Sequence, residues 1–136
     1  MYLIDTDVLS ELRKRQAEPR VLAWMQRQRT SDLFLSVVTV GEIERGIRLR
    51  QASDPGFAGV LAAWLDTVLA VYGDRILAFD LSAARRWGVL SAALGNREPD
   101  VMIAATALEH GLIIVTRNVA HFQPTGVPLL NPFLAG

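Results

Sequence analysis

Short apolar runs alternate with longer segments of helical periodicity along this whole chain. YLID (2–5) is the first run, rich in strand formers and closed by an acid. LFLSVV (33–38) is the second, RILAFD (75–80) the third and LIIVTRN (112–118) the fourth. VPLL (127–130) is a short candidate fifth. The LIIV stretch has no polar alternation, the pattern of a strand covered on both faces. Between the runs lie TDVLSELRKR (6–15), PRVLAWMQRQ (19–28), TVGEIERGIRLRQ (39–51), FAGVLAAWLDTVLAVY (57–72), LSAARRWGVLSAAL (81–94) and PDVMIAATALEHG (99–111). Val40, Ile43 and Ile47 recur at helical spacing. Pro19 and Pro99 suit first turns, and Gly111 suits a helix stop. DPG at 54–56 predicts a turn. Strands alternating with helices predict an α/β fold: a central, mainly parallel sheet of four to five strands between two helical layers.

Composition narrows the chemistry. The 136 residues predict one domain, 1–136. The absence of cysteine excludes disulfides, thiolate zinc sites and a cysteine nucleophile. Two histidines, His110 and His121, are too few for a histidine-rich metal site. Fourteen basic and fourteen acidic residues give zero net charge, which argues against a generally basic nucleic-acid coat. The opening MYLIDTD has no basic segment, so no signal peptide is expected there. No apolar run is expected to approach the roughly 18 residues of a membrane span. The expectation is a cytoplasmic protein that does not engage a membrane.

In parallel sheets ligands bind beyond the carboxyl ends of the strands. Asp5 and Asp7 follow the first strand, Glu42 follows the second and Asn118 follows the fourth. Asp100 opens the helix that returns the chain to the bottom of the sheet, so its N-terminus lies at the same rim. Three carboxylates (Asp5, Glu42, Asp100) therefore meet at one edge by topology. Local explanations compete. Asp7 suits the N-cap of the first helix. Thr39 and Glu42 have capping-box spacing. Asp100 favours the helix dipole. Asp5 is harder to explain away. Clustered carboxylates repel unless a cation is present, and oxygen donors suit Mg²⁺ or Mn²⁺.

Four segments carry a resemblance: LIDTDVLSE at the start, LSVVTVGEIERG (35–46), PDVMIAATALEHGLIIVTRN (99–118) and GVPLLNPF (126–133). Together they make the chain resemble PIN-domain proteins, in particular VapC-type toxins of the FitB-like branch. The resemblance spans essentially the whole chain. It implies a three-layer α/β/α fold and a metal-dependent endoribonuclease acting as the toxin of a toxin–antitoxin pair. It implies Mg²⁺, with Mn²⁺ as an alternative, a cognate antitoxin, an RNA substrate, and a homodimer or hetero-oligomer. The family acids fall on Asp5, Glu42 and Asp100. At the fourth acid position this chain has Asn118, with His121 three residues on, which leaves open one metal ion or two. Thr6 and Thr116 match positions where a hydroxyl supports the acids. His121 is either near the site or a half-exposed loop residue.

Arginines supply the RNA contacts in this reading. Arg117 stands best placed, with Arg45 and Arg13 as further candidates beside Arg48, Arg85 and Arg86. Arg45 has the alternative of pairing with Glu42 on the helix surface. Trp24, Leu33, Phe34, Phe57, Trp64, Trp87 and Phe133 are many large apolar groups for a small neutral domain; core burial is the default, and any left exposed mark a partner surface, with helices around 19–28 and 39–69 as candidates. Two rivals stand. Asp5-Thr6-Asp7 also fits a haloacid-dehalogenase-like phosphatase, but the only lysine is Lys14, too early for that class. A catalytically degenerate PIN domain would bind RNA or antitoxin without cleavage.

Overall fold

The computed structural model describes residues 1–134. Five strands form one sheet: β1 (Tyr2–Ile4), β2 (Leu33–Ser36), β3 (Ile76–Leu77), β4 (Ile113–Val115) and β5 (Leu129–Leu130). Their order is β3-β2-β1-β4-β5, and every pairing is parallel. Seven α-helices connect them: α1 (Thr6–Arg13), α2 (Pro19–Arg27), α3 (Val37–Ser53), α4 (Pro55–Tyr72), α5 (Leu81–Leu94), α6 (Pro99–His110) and α7 (Val119–Phe122). The expected α/β architecture is thus borne out. From β1 the chain builds outward to β2 and β3, then crosses to β4 on the other side. The switch point, where such sheets bind ligands, lies between β1 and β4.

The three layers follow from the two-residue period of a strand. Successive side chains point to opposite faces. Leu3 and Ile114 enter one apolar cluster with Ile103, Ala104, Ala107 and Phe122 of α6 and α7. Their neighbours Ile4 and Val115 enter the other, with Val8, Val21, Trp24, Ile43, Ile47 and Leu65 from α1 to α4. Each helical layer covers one face, which is why the central strands carry no polar alternation.

Several boundaries shift from expectation. Val37 and Val38 belong to α3, because the Ser36 hydroxyl accepts from the Val38 amide at 3.0 Å and ends the strand with a cap. The third strand shrinks from six residues to two, as Asp80 caps α5 through the Ala83 amide at 3.0 Å. Asp54 closes α3 and caps α4, accepting from the Phe57 amide at 3.1 Å, with Pro55 in the first turn. The expected DPG turn is therefore a corner between two helices. Contrary to the expectation that no apolar run is long enough, the stretch Pro55–Arg75 is long and apolar enough in composition to cross a membrane. Asp66 interrupts it, and only one stripe (Ala58, Leu65, Val68, Tyr72) is buried. Trp24 and Leu33 are core residues, whereas Phe34, Phe57, Trp64, Trp87 and Phe133 are only partly buried.

Gly111 ends α6 in the left-handed region (φ 65°), where its amide reaches Ala107 O and turns the chain into β4. A β-carbon meets no neighbour there, so the cost of replacing it is conformational. Gly111→Ala is expected to lower stability by about 1 kcal/mol in urea unfolding.

Candidate active site

The parallel register puts Ile4 beside Val115. The next residues, Asp5 and Thr116, therefore leave adjacent strands side by side. The Asp5 amide extends the ladder to Val115 O at 2.9 Å. Asp5 Oδ2 accepts from the fully buried Thr116 hydroxyl at 2.9 Å, and its Oδ1 accepts from the Thr6 amide at 2.8 Å. Asp5, not Asp7, is thus the N-cap of α1. The helix starts immediately after the strand, so no residue separates strand end from cap.

Asp7 instead reaches across to β4. Its Oδ2 accepts from the Arg117 amide at 3.1 Å and lies 3.4 Å from the Thr116 hydroxyl. Its Oδ1 is buried without a hydrogen-bond partner among the described residues. Sequence reasoning passed over Asp7 as a cap. The signal that could have found it is the absence of a linker between YLI and the helix.

Glu42 lies in the second turn of α3 and is half-buried. Because α3 begins at Val37, Thr39 is no cap and the expected capping box does not form. Glu42 Oε1 instead accepts from the Thr6 hydroxyl at 2.8 Å, with the Thr39 hydroxyl 3.2 Å from the same oxygen of Thr6. Asp100 sits in the first turn of α6, where the dipole favours its charge. Its Oδ2 is 3.3 Å from His121 Nδ1, so His121 stands at the site, exposed, rather than apart from it. Asn96, Glu98, Asp100 and His121 line an open cavity of about 390 Å³.

The electrostatics tie these acids together. Burial, helped by the charges of Asp7 and Asp100, pushes the Asp5 carboxyl up to about 7, against the opposing pull of Thr116 and Thr6. Burial and the Asp100 charge raise Glu42 as well. Burial raises Asp7. The charge of Asp100 thus acts on two carboxyls from two other segments.

Of the remaining candidates, Asn118 is exposed; its amide donates to the Thr116 hydroxyl at 2.9 Å. The Arg117 guanidinium lies over the Phe133 ring, 4.5 Å from its centroid. The Arg13 guanidinium lies over Phe57 at 5.3 Å. Arg45 is exposed and does not pair with Glu42, whose bond goes to Thr6. The inward turn of Glu42 toward α1 removes it from Arg45's reach along the helix surface.

A hard cation fits this donor set in one respect and is limited in another. Carboxyls lifted first by burial and then by neighbouring charge, and an Asp7 oxygen with no hydrogen-bond partner among the described residues, lack a positive partner. Yet among the described residues no three acids or histidines form a ready-made cage. That combination suits an ion that keeps several of its own waters and takes only one or two carboxylates, as Mg²⁺ does.

The native state holds the Asp5 proton up to about pH 7, while an unfolded chain releases it near 3.8. Between those values the native state binds more protons, so stability falls as pH rises. Metal-free protein is expected to lose melting temperature from about pH 4 to 7, with Asp5→Asn flattening that slope. A rising melting temperature over that window in the metal-free protein would contradict the burial argument.

Comparison with known proteins agrees with this geometry. A family model described as "PIN domain" matches residues 2–124. The chain is 34% identical to a VapC ribonuclease, Y4jK, of Sinorhizobium fredii, over 98% of both chains. It is 33% identical to the toxin FitB of Neisseria gonorrhoeae, over 98% of this chain and 99% of that one. A crystal structure of FitAcB from Neisseria gonorrhoeae superposes with a TM-score of 0.86 at 32% identity, covering 98% of this chain and 99% of that one. Sheet order, acids at the switch point and near full-length identity above 30% converge on one assignment: the chain belongs to the PIN-domain family.

Proposed function

We propose that this chain, as one domain, is a divalent-metal-dependent endoribonuclease and the toxin of a toxin–antitoxin pair. The observation that carries the reading is the convergence of Asp5, Glu42 and Asp100 in one field, with Asp5 lifted to about 7. The names of the relatives, a VapC ribonuclease and a toxin, support it.

Asp5 and Asp100 are the residues that would hold Mg²⁺, with Mn²⁺ as the close substitute. Bound there, such an ion supplies Lewis-acid polarisation of the phosphate and lowers the pKa of water. The protein does the rest. Thr116 and the Thr6 amide lock the Asp5 carboxylate in one orientation. Thr6 occupies Oε1 of Glu42, leaving Oε2 to accept the proton of the attacking water. The exposed Asn118 side chain positions water or the scissile phosphate, whereas the fully buried Thr116 hydroxyl is committed to Asp5. His121, seated on Asp100, is within the site's reach as a proton carrier for the leaving oxygen. Asn118 brings no charge but can offer its carbonyl oxygen, and the reading assigns residues only to the ion at Asp5 and Asp100.

Arg117, exposed with its guanidinium over Phe133, and Arg13, with its guanidinium over Phe57, are the RNA contacts of this reading. Arg45 stays an exposed candidate. The partners are a cognate antitoxin, a second copy of the chain and a single-stranded or looped RNA, where bases can splay out. Exposed Val60, Val71, Leu81 and Val89 offer apolar surface for protein partners. The proposed compartment is the cytoplasm.

Purified protein is expected to cut RNA with Mg²⁺ or Mn²⁺ and to stop on addition of EDTA. Glu42→Gln should lower kcat by about 100-fold or more, the scale of a lost general base. Asp5→Asn and Asp100→Asn should abolish cutting and relieve growth arrest on expression in bacteria. Full magnesium-dependent cleavage by Asp5→Asn would sink the assignment. Tight RNA binding with no cleavage in either metal would mark a degenerate domain instead.

A further inference from the structure

Two openings flank the acid cluster, and they differ in sign. One is the cavity beside Asp100, whose rim carries Glu98 and Asp100. The other is a groove of about 220 Å³ between α1, α3 and α4. It shares Thr6 and Glu42 with the site, and Arg13, Arg50, Phe57 and Gly46 continue it outward.

The groove is assembled by local sequence rules. Asp54 caps α4 and fixes the corner after α3, which places Phe57 one turn into α4, beneath the end of α3. Arg50 in the last turn of α3 lies over the Phe57 ring at 4.9 Å, and Arg13 in the last turn of α1 lies over it at 5.3 Å. The Phe57 ring braces both guanidinium groups by cation–π attraction. Neither pairs with a carboxylate among the described residues. An anion bound in the groove that both line would supply the partner they lack. Guanidinium forks match phosphate oxygens in geometry.

Gly46 lines the groove and helps keep it open. A β-carbon there meets no atom of the folded chain within 4 Å, as at the helical Gly41, Gly59 and Gly88. What a side chain at Gly46 would narrow is the groove.

We infer that this groove is a nucleotide subsite, in which Arg13 and Arg50, braced by Phe57, hold the phosphate of an RNA strand next to the bond over the acids. The inference rests on the nuclease reading for its strand, and it adds Arg50, Phe57 and Gly46 to the site. An anionic strand leaving the acid cluster is drawn to the basic opening and repelled from the acidic one. The open groove, about 220 Å³, suits one nucleotide.

The test is binding of a short fluorescein-labelled single-stranded RNA, with Ca²⁺ in place of Mg²⁺ to hold it uncut. Arg13→Ala and Arg50→Ala are each expected to weaken binding about tenfold, the scale of a lost charged hydrogen bond. Each should also reduce the slope of log affinity against log salt by about 0.7. Gly46→Leu should weaken binding by filling the groove, with circular dichroism and melting temperature reporting that the fold is kept. Arg27→Ala, on α2, should bind as wild type. Wild-type affinity in all three groove variants overturns the inference. So does wild-type protein that binds no RNA. If the three variants lose affinity for an antitoxin protein but keep it for RNA, the groove belongs to a protein partner and the inference also fails. Wild type that binds RNA through these residues yet does not cut it with Mg²⁺ leaves the subsite standing and removes the nuclease reading.

Discussion

The hydrogen bond from the Thr116 hydroxyl to Asp5, 2.9 Å long and spanning 111 residues of sequence, is the contact on which the site depends. It exists only because β1 and β4 are parallel neighbours in one register. A one-residue slip would turn Thr116 to the opposite face. The same hydroxyl accepts from the Asn118 amide and approaches Asp7. One buried oxygen therefore organises both strand ends at the switch point. The Thr6 hydroxyl does the equivalent work between α1 and α3, by holding Glu42.

A site of this kind stores electrostatic tension. Burying carboxylates near one another is unfavourable, and the lifted Asp5 carboxyl records that cost. The fold tolerates it because hydroxyls and amides satisfy most of the carboxylate oxygens. What remains unsatisfied, above all Asp7 Oδ1, is what a cation or proton would complete. Zero net charge in this light is a sum of unlike parts. Acids collect at the strand ends, while arginines gather on the helices beside them. A neutral total therefore says little about whether an anionic strand can approach.

Much of this was legible in the sequence, because its signals were strong and local. The unbroken LIIV run identified a doubly covered strand. Gly111 and Pro99 marked the ends of α6. Asp5, Glu42 and Asp100 could be set at one rim from topology. The errors share a cause. Caps were assigned to the residues with the best propensity, Asp7 and Thr39, whereas the chain uses Asp5 and Ser36. Helix frames shifted by a few residues, and side-chain partners shifted with them. Arg45 lost Glu42 because Thr6, 36 residues away in sequence, competes for it. Nothing local announces a competitor that distant. Arg50 and Phe57 were likewise hidden, since their meeting depends on the α3–α4 corner.

The sequence by itself determined the alternation of strands and helices, the two-faced burial of the central strands and the acid types at the strand ends. Periodicity and terminal residues encode these, and both are read within a few positions. Tertiary structure alone decided which hydroxyl clamps which carboxylate, which acid carries an orphaned oxygen and which arginines flank the site. Those outcomes depend on strand register and helix corners. They are set by packing between segments up to 111 residues apart, where a shift of one residue exchanges every partner.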